Sequence, residues 1–193
     1  MTEDPTSEAF FESLYQRAND PWQFGTSPYE QARYASILRA LPPQRFRRAF
    51  EPGCSVGILT EKLATICDQV EAIDISPTAA SRARYRCRTL ANVKVVQGAL
   101  PSAMPDGDFD LILLCEIGYY FQPSDLAALV SQLASRLRPA GHLLAEHWLG
   151  SSPDHLLSGD RANQIIGATA DLVLEASHRH EGFRIDLFKD RSF

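Results

Sequence analysis

The feature that most constrains the fold of this chain is a regular alternation of short β-type apolar runs with amphipathic helical segments between residues 48 and 148. Residues 48–50, 70–75, 93–96, 111–115 and 142–148 read as strands. Between them, Ile58, Leu59, Leu63 and Ile66 line one face of a helix over 58–66. Ser76-Pro77 opens a second helix, with Ser as the cap and Pro at the first position. Leu126, Leu129, Val130, Leu133 and Leu137 mark a third, which Pro139-Ala140-Gly141 stops. Such alternation predicts a mainly parallel sheet covered by helices on both faces, and the unbroken run 111–115 fits a strand buried on both sides. The end of the chain departs from this pattern. Residues 171–177 and 183–188 are two β-type runs around Glu181-Gly182 and predict an antiparallel hairpin.

Ahead of the alternating region, the first twenty residues are polar with scattered aromatics (Phe10, Phe11, Tyr15) and suit a short helix and a loop. Ser27-Pro28-Tyr29-Glu30 is a capping box with Pro at the first helical position; the helix runs through Tyr34, Ile37, Leu38 and Leu41 until Pro42-Pro43. The expected architecture is one α/β domain over 1–193, a doubly wound, mainly parallel sheet with a C-terminal antiparallel hairpin, in which 1–42 forms a helical cap.

Composition narrows the function. With 193 residues, 45% apolar and 22% charged, the chain is long enough to bury a sizeable core and is not a disordered or disulfide-framework sequence. Its net charge of −5 argues against nucleic acid as a partner, because a polyanion requires a basic surface. The run Arg82, Arg84, Arg86, Arg88 alternates along a helix and reads as a solvated surface. No apolar run approaches the roughly 20 residues that span a bilayer. The start, Met1-Thr2-Glu3-Asp4-Pro5, is acidic where a leader would be basic, so a cytoplasmic location is expected. The four cysteines have no metal-site spacing, and His178 and His180 read as surface residues of the hairpin, so no metal site is expected. Cys67 and Cys115 lie in apolar runs and suit packing.

In a doubly wound sheet the ligand sits beyond the carboxyl ends of the strands. The first strand ends in Glu51-Pro52-Gly53-Cys54-Ser55-Val56-Gly57, whose small residues let backbone approach a ligand closely. Asp74 closes the second strand 21 residues beyond Gly53, where an acid would hold a ribose hydroxyl pair. Together these features predict a nucleoside-type ligand. A dinucleotide turn would place glycines where Ser55 and Ile58 stand, which argues against a nicotinamide oxidoreductase.

The same turn resembles the first motif of class I S-adenosylmethionine-dependent methyltransferases, E/D-x-G-x-G-x-G. Glu51, Gly53 and Gly57 match, and Ser55 replaces the middle glycine. Asp106-Gly107-Asp108-Phe109-Asp110 before the fourth strand and Leu137-Arg138-Pro139-Ala140-Gly141 before the fifth are also common in these enzymes. The resemblance implies a Rossmann-like fold and S-adenosylmethionine as cofactor, with S-adenosylhomocysteine as product. It implies that the loop wraps the methionine part and that Asp74, with Ile75 beside it, holds the ribose. Ala99 stands where many members carry an acid toward the adenine amino group, so adenine recognition would rest on backbone around Ala99 and Leu100. Cys115, at the end of the fourth strand, falls on the same cofactor edge.

A narrower resemblance comes from Asp20-Pro21-Trp22-Gln23-Phe24, Ser27-Pro28-Tyr29-Glu30, Arg33-Tyr34 and Cys115-Glu116-Ile117-Gly118-Tyr119-Tyr120, which are similar to the nodulation protein S methyltransferases. That family N-methylates the free amine of a deacetylated chitooligosaccharide, which implies a small amine acceptor such as an amino sugar. Methyl transfer from a sulfonium gains from exact alignment and from exclusion of water. Trp22, Phe24 and Tyr29 are candidates for an apolar lid or for packing on the sheet. Arg33, one turn beyond Tyr29, is a candidate partner of the cofactor carboxylate. Glu116 is a candidate acceptor of the amine proton or a structural hydrogen-bonding group, and His147 is a second candidate base. Tyr119 and Tyr120 would stack on a sugar or fill space, and the polar segment 151–160 would shape the acceptor pocket. A non-catalytic cofactor-binding protein is the remaining alternative, and both monomer and dimer fit the sequence.

Overall fold

A computed structural model describes residues 6–191; the acidic start 1–5, from which a location was inferred, lies outside them. Seven strands form one sheet: β1 (Phe46–Pro52), β2 (Cys67–Asp74), β3 (Val93–Gln97), β4 (Phe109–Cys115), β5 (Leu137–Trp148), β6 (Leu172–Arg179) and β7 (Phe183–Asp190). Their spatial order is β3-β2-β1-β4-β5-β7-β6. The pairs from β3 through β5 are parallel, and β7 runs antiparallel to both β5 and β6. The order reverses between β1 and β4, which opens a crevice at the carboxyl ends of those two strands.

The helices are α1 (Glu8–Arg17), α2 (Pro28–Ala40), α3 (Ile58–Leu63), α4 (Pro77–Arg86), α5 (Pro123–Ala134) and α6 (Gly159–Gly167). Period-two alternation along β4 divides the core. Leu111 and Leu113 point to one face, where Ile37 of α2 and Leu59 and Leu63 of α3 pack. Ile112 and Leu114 point to the other, against Leu126, Leu129, Val130 and Leu133 of α5 and Ile166 of α6. All four β4 side chains are fully buried, as the apolar run 111–115 requires. No described helix is long and apolar enough to cross a membrane.

Several boundaries differ from those the sequence predicts. α3 ends at Leu63, because Cys67 already pairs with Phe46 at the start of β2. α5 ends at Ala134, and Leu137 pairs with Phe109 as the first residue of β5. Pro139-Ala140-Gly141 therefore interrupts a strand rather than stopping a helix. The register jumps there from Phe109/Leu137 to Leu111/His142, and Ala140 takes a left-handed φ of 66°. α6 and a one-turn 3-10 helix over Gly118–Tyr120 are additional. Within the α4 arginine run, Arg84 and Arg88 are exposed, as their alternation suggests, while Arg82 is half-buried. Arg82 Nη1 donates to the carbonyls of Tyr15, Ala18 and Asn19 at 2.8, 2.9 and 3.1 Å, so it ties down the end of α1.

Gly57 makes the close approach of α3 and α4 possible. It has φ of 81°, and a Cβ built there would lie 3.0 Å from the Cα of Ala83. Gly57→Ala is expected to lower unfolding stability by about 1–2 kcal/mol through left-handed strain alone, measurable as a reduced urea midpoint at unchanged slope.

Candidate active site

The crevice between β1 and β4 opens into a cleft of about 870 Å³. That lies within the range of small-molecule sites, which runs to about 1,000 Å³. Its floor is the turn after β1. Gly53, Ser55 and Gly57 all adopt left-handed φ, at 75°, 51° and 81°. A Cβ on Gly53 would meet Ile117 Cγ2 at 2.4 Å, so glycine is required there. The amides of Gly53 and Cys54 both donate to the Ile73 carbonyl, at 2.7 and 2.9 Å, which locks the turn against the end of β2.

Asp74 organises the floor further. Its Oδ2 accepts the Ser55 amide at 2.8 Å and its Oδ1 accepts the Ser76 amide at 2.9 Å. Burial pushes its carboxyl up to about 6, against the pull of those two amides. Asp74, Ile75, Gly53, Ser55, Ala99 and Leu100 all line this end of the cleft. Glu51, Arg33 and Cys115 do not; they line a separate chamber of about 40 Å³ behind the turn. Burial there raises Glu51 to about 8, partly offset by Thr60 beside it.

The front of the cleft is closed by the amino-terminal segment. The Tyr15 hydroxyl donates to Ser55 Oγ at 2.6 Å, so the serine that replaces a glycine is held by α1. Tyr15 meets Trp22 edge-on at 5.5 Å, and Trp22 stacks on Phe24 at 5.6 Å. Glu12 fastens α1 to the start of α4, accepting from Ser76 Oγ at 2.6 Å and the Thr78 amide at 3.0 Å. Those bonds bring its carboxyl down to about 2 despite the opposing cost of burial. Trp22 and Tyr29 line the cleft yet stay 37% and 43% exposed, so they form its rim rather than its core. Tyr29 also packs edge-on against Phe183 of the hairpin at 6.1 Å.

A further wall is built from the turn after β4. Glu116 holds a left-handed φ of 59° and lines the cleft. Its Oε1 accepts the Trp148 amide at 2.5 Å, and its Oε2 lies 3.0 Å from Arg33 Nη1. Arg33 is 2% exposed and surrounded by Glu30, Glu116 and Glu146. It is thus committed to protein carboxylates and does not line the cleft. Aromatic rings form the wall beside Glu116. Tyr119 stacks on His155 at 3.8 Å, Tyr120 meets Tyr119 at 4.9 Å, and Phe11 of α1 meets Tyr120 at 4.9 Å. Glu30, Asp74, Glu116, Asp125 and Asp154 face the cleft, and no Lys or Arg does among the described residues.

His147 is wholly buried and does not reach the cleft. Its Nε2 accepts the Gly118 amide at 2.9 Å, which leaves the proton on Nδ1 to donate to Asn163 Oδ1 at 2.6 Å. Asn163 in turn donates to Asp186 at 2.8 Å. The ring holds the 3-10 turn in place and, through burial, titrates at about 4. A histidine with a depressed folded pKa contributes stability that is full above about 6.5 and lost as pH falls toward 4. The stability difference between wild type and His147→Gln is therefore expected to shrink below pH 6.5, by up to about 1.4 kcal/mol per unit, in urea melts across pH.

The motif reading did not anticipate Phe11 or Tyr15 in the wall, nor Glu146, whereas Asp154 and His155 belong to the polar segment 151–160 that it did place there. Phe11 and Tyr15 share a helix face at i, i+4 spacing, and Glu146 interrupts an apolar strand, which demands a buried partner.

A glycine turn at the switch point, an acid closing β2 and an aromatic cap define a class I S-adenosylmethionine-dependent methyltransferase. A family model described as Nodulation protein S (NodS) matches residues 11–181. Nodulation protein S of Rhizobium tropici is 31% identical over 175 residues, 90% of this chain and 71% of that relative. Nodulation protein S of Sinorhizobium fredii NGR234 is 34% identical over 131 residues, 66% of this chain and 60% of that relative. The chain belongs to the Nodulation protein S family. The crystal structure of N-methyltransferase NodS from Bradyrhizobium japonicum WM9 in complex with S-adenosyl-L-homocysteine shares the fold. Its TM-score is 0.84 at 22% identity, over 98% of this chain and 100% of that one. The nicotinamide alternative falls with these matches. S-Adenosylmethionine is the cofactor, and the donor set fits it: left-handed glycine backbone, a buried acid and apolar walls.

Proposed function

We propose that the chain transfers a methyl group from S-adenosylmethionine to the nitrogen of a small amine, an amino sugar of the deacetylated chitooligosaccharide type. The observation that carries this reading is the Glu116 carboxylate at the acceptor end of a cleft with five acids and no Lys or Arg among its described lining residues. Such a field favours a cationic amine and disfavours phosphorylated or carboxylated acceptors. Tyr120 and His155, the latter backed by the buried Tyr119 ring, supply faces for a sugar ring.

In this reading Gly53 and Ser55 hold the methionine part, Asp74 and Ile75 the ribose, and the backbone at Ala99 and Leu100 the adenine. Trp22, Tyr29 and Tyr15 shield the sulfonium from water. The amine enters as an ammonium, and Glu116 takes its proton. The freed lone pair attacks the methyl carbon, and the carbon–sulfur electron pair remains on sulfur. Having both ring nitrogens occupied, His147 supports the Gly118–Tyr120 turn instead of accepting the proton. Relatives named N-methyltransferase NodS are consistent with nitrogen as the acceptor atom.

The test uses methyl-labelled S-adenosylmethionine with glucosamine oligomers and with the fully N-acetylated oligomers as control. Label on the free-amine oligomers alone is expected. Label on the acetylated oligomers, or on neither, would contradict the amine reading.

A further inference from the structure

The segment 151–157 packs onto the 3-10 turn that follows Glu116, and both contribute side chains to the cleft. The Tyr119 carbonyl accepts the amides of Leu156 and Leu157 at 2.8 and 3.2 Å, and the His155 amide donates to the Ser152 carbonyl at 3.1 Å. Backbone bonds thus hold the segment, which leaves its side chains for other partners. The buried Tyr119 ring backs His155, stacked on it at 3.8 Å and 16°. Tyr120 and Trp148 stand almost perpendicular to the His155 ring, with centroids 5.3 and 6.1 Å away. These rings form a corner of the cleft, and Asp154 lines the cleft beside them.

The partners of the Asp154 carboxylate are hydroxyls. Ser152 Oγ donates to its Oδ1, and the Tyr120 hydroxyl donates to it as well. No Lys or Arg lines the cleft with it among the described residues. Burial holds the His155 imidazole below its ordinary range against the pull of Asp154, so that ring is uncharged at neutral pH and does not compensate the carboxylate either. Two donors occupy two of the about four acceptor positions of a carboxylate, and the others are open to a ligand in the cleft. Ring faces with a carboxylate at their edge match a pyranose. Its apolar C–H groups lie on an aromatic face, and a hydroxyl at its rim makes a charge-assisted bond. A second ammonium is matched less well, because a carboxylate already engaged by two donors repays less of the desolvation of a cation.

We propose that Asp154 is a specificity-determining residue for the acceptor: its carboxylate takes a ring hydroxyl of the sugar that carries the amine, while His155 and Tyr120 seat that ring. The proposal rests on the amine reading above and narrows it to polyhydroxylated amines. Trp148 joins this corner to Glu116, which accepts the Trp148 amide at 2.5 Å, so one frame places both the carboxylate that reads the ring and the carboxylate that meets the amine.

The test is a calorimetric titration of the full chain, saturated with S-adenosylhomocysteine so that no turnover occurs. The probes are the glucosamine disaccharide and putrescine, a diamine without hydroxyls. In Asp154→Ala the disaccharide is expected to bind about 10- to 100-fold more weakly than in wild type, the range for hydrogen bonds to a charged group. Putrescine, which meets only the lost charge, is expected to weaken by less than about fivefold. Ser152→Ala removes the brace on the segment and keeps the carboxylate, so it is expected to bind the disaccharide as wild type does; a merely structural role for Asp154 would make the two variants alike. Undiminished disaccharide binding in Asp154→Ala, an equal loss for putrescine, or no disaccharide binding by the wild type overturns the proposal. If Asp154→Ala does not fold, Asp154→Asn, whose amide oxygen still accepts from Ser152, takes its place under the same criteria. Wild-type protein that binds the disaccharide through Asp154 but methylates no amine overturns the amine reading and keeps the subsite.

Discussion

Glu116→Gln is expected to slow methyl transfer to glucosamine oligomers by about 10²–10⁴-fold, the usual contribution of a positioned general base. The substitution preserves shape. A glutamine oxygen still accepts the Trp148 amide, so the left-handed turn at residue 116 keeps its anchor. What disappears is the capacity to take a proton that the proposed mechanism assigns to Glu116. Since the partners of Glu116 are the Trp148 amide and Arg33 rather than Asp74 or Ser55, S-adenosylhomocysteine affinity should change by less than about threefold, below 1 kcal/mol. A variant with wild-type turnover would mean that the amine loses its proton elsewhere. The alternative base, His147, is closed off: Gly118 and Asn163 hold both of its ring nitrogens.

Asp74→Ala is expected to weaken S-adenosylhomocysteine by about 10- to 150-fold, which corresponds to about 1.5–3 kcal/mol for hydrogen bonds to a charged group. The carboxylate has two tasks. It accepts the Ser55 and Ser76 amides and so shapes the turn, and in the proposed reading its remaining lone pairs would accept the ribose hydroxyls. Removing it orphans two buried donors, so the thermal midpoint should fall together with affinity. Wild-type affinity in a calorimetric titration would remove Asp74 from the ribose contact. A lowered midpoint with unchanged affinity would confine its role to the turn.

The sheet was legible because its signals are local and repeat. β-type runs three to seven residues long, capped helices and the turn 51–57 each carry their own chemistry, and Asp74 could be placed by distance along the chain alone. The bulge in β5 was not legible. Pro139-Ala140-Gly141 is the ordinary signature of a helix end, and only the pairing of Leu137 with Phe109 makes it an interruption of a strand. α6 was missed because its apolar face has only Ala162, Ile165 and Ile166, which cover less than three turns.

The surroundings of Glu116 were half legible for a related reason. Glu116 stands directly after an apolar strand, where doubly wound sheets bind ligands, and it lines the cleft. Its surroundings come from three distant segments. Phe11 arrives from α1, Arg33 from α2 and His155 from the loop before α6, and no spacing along the chain announces that they converge. Arg33 illustrates the limit. One turn beyond Tyr29, it invited pairing with a cofactor carboxylate, yet Glu146, 113 residues away, claims its charge.

α1 is tied to the turn after β1 and to the start of α4. Tyr15 touches Ser55, Glu12 touches Ser76 and Thr78, and both of those segments also meet Asp74 or follow it directly. A ligand seated on the turn would therefore be felt by α1 through hydrogen bonds already in place, without a new contact.

The central claim, that the turn after β1 and Asp74 form an S-adenosylmethionine site, is tested most directly by calorimetric titration of the purified protein with S-adenosylhomocysteine, with NAD as the control ligand. One-to-one binding of S-adenosylhomocysteine and none of NAD is predicted. Absence of S-adenosylhomocysteine binding, or equal binding of NAD, would contradict the account.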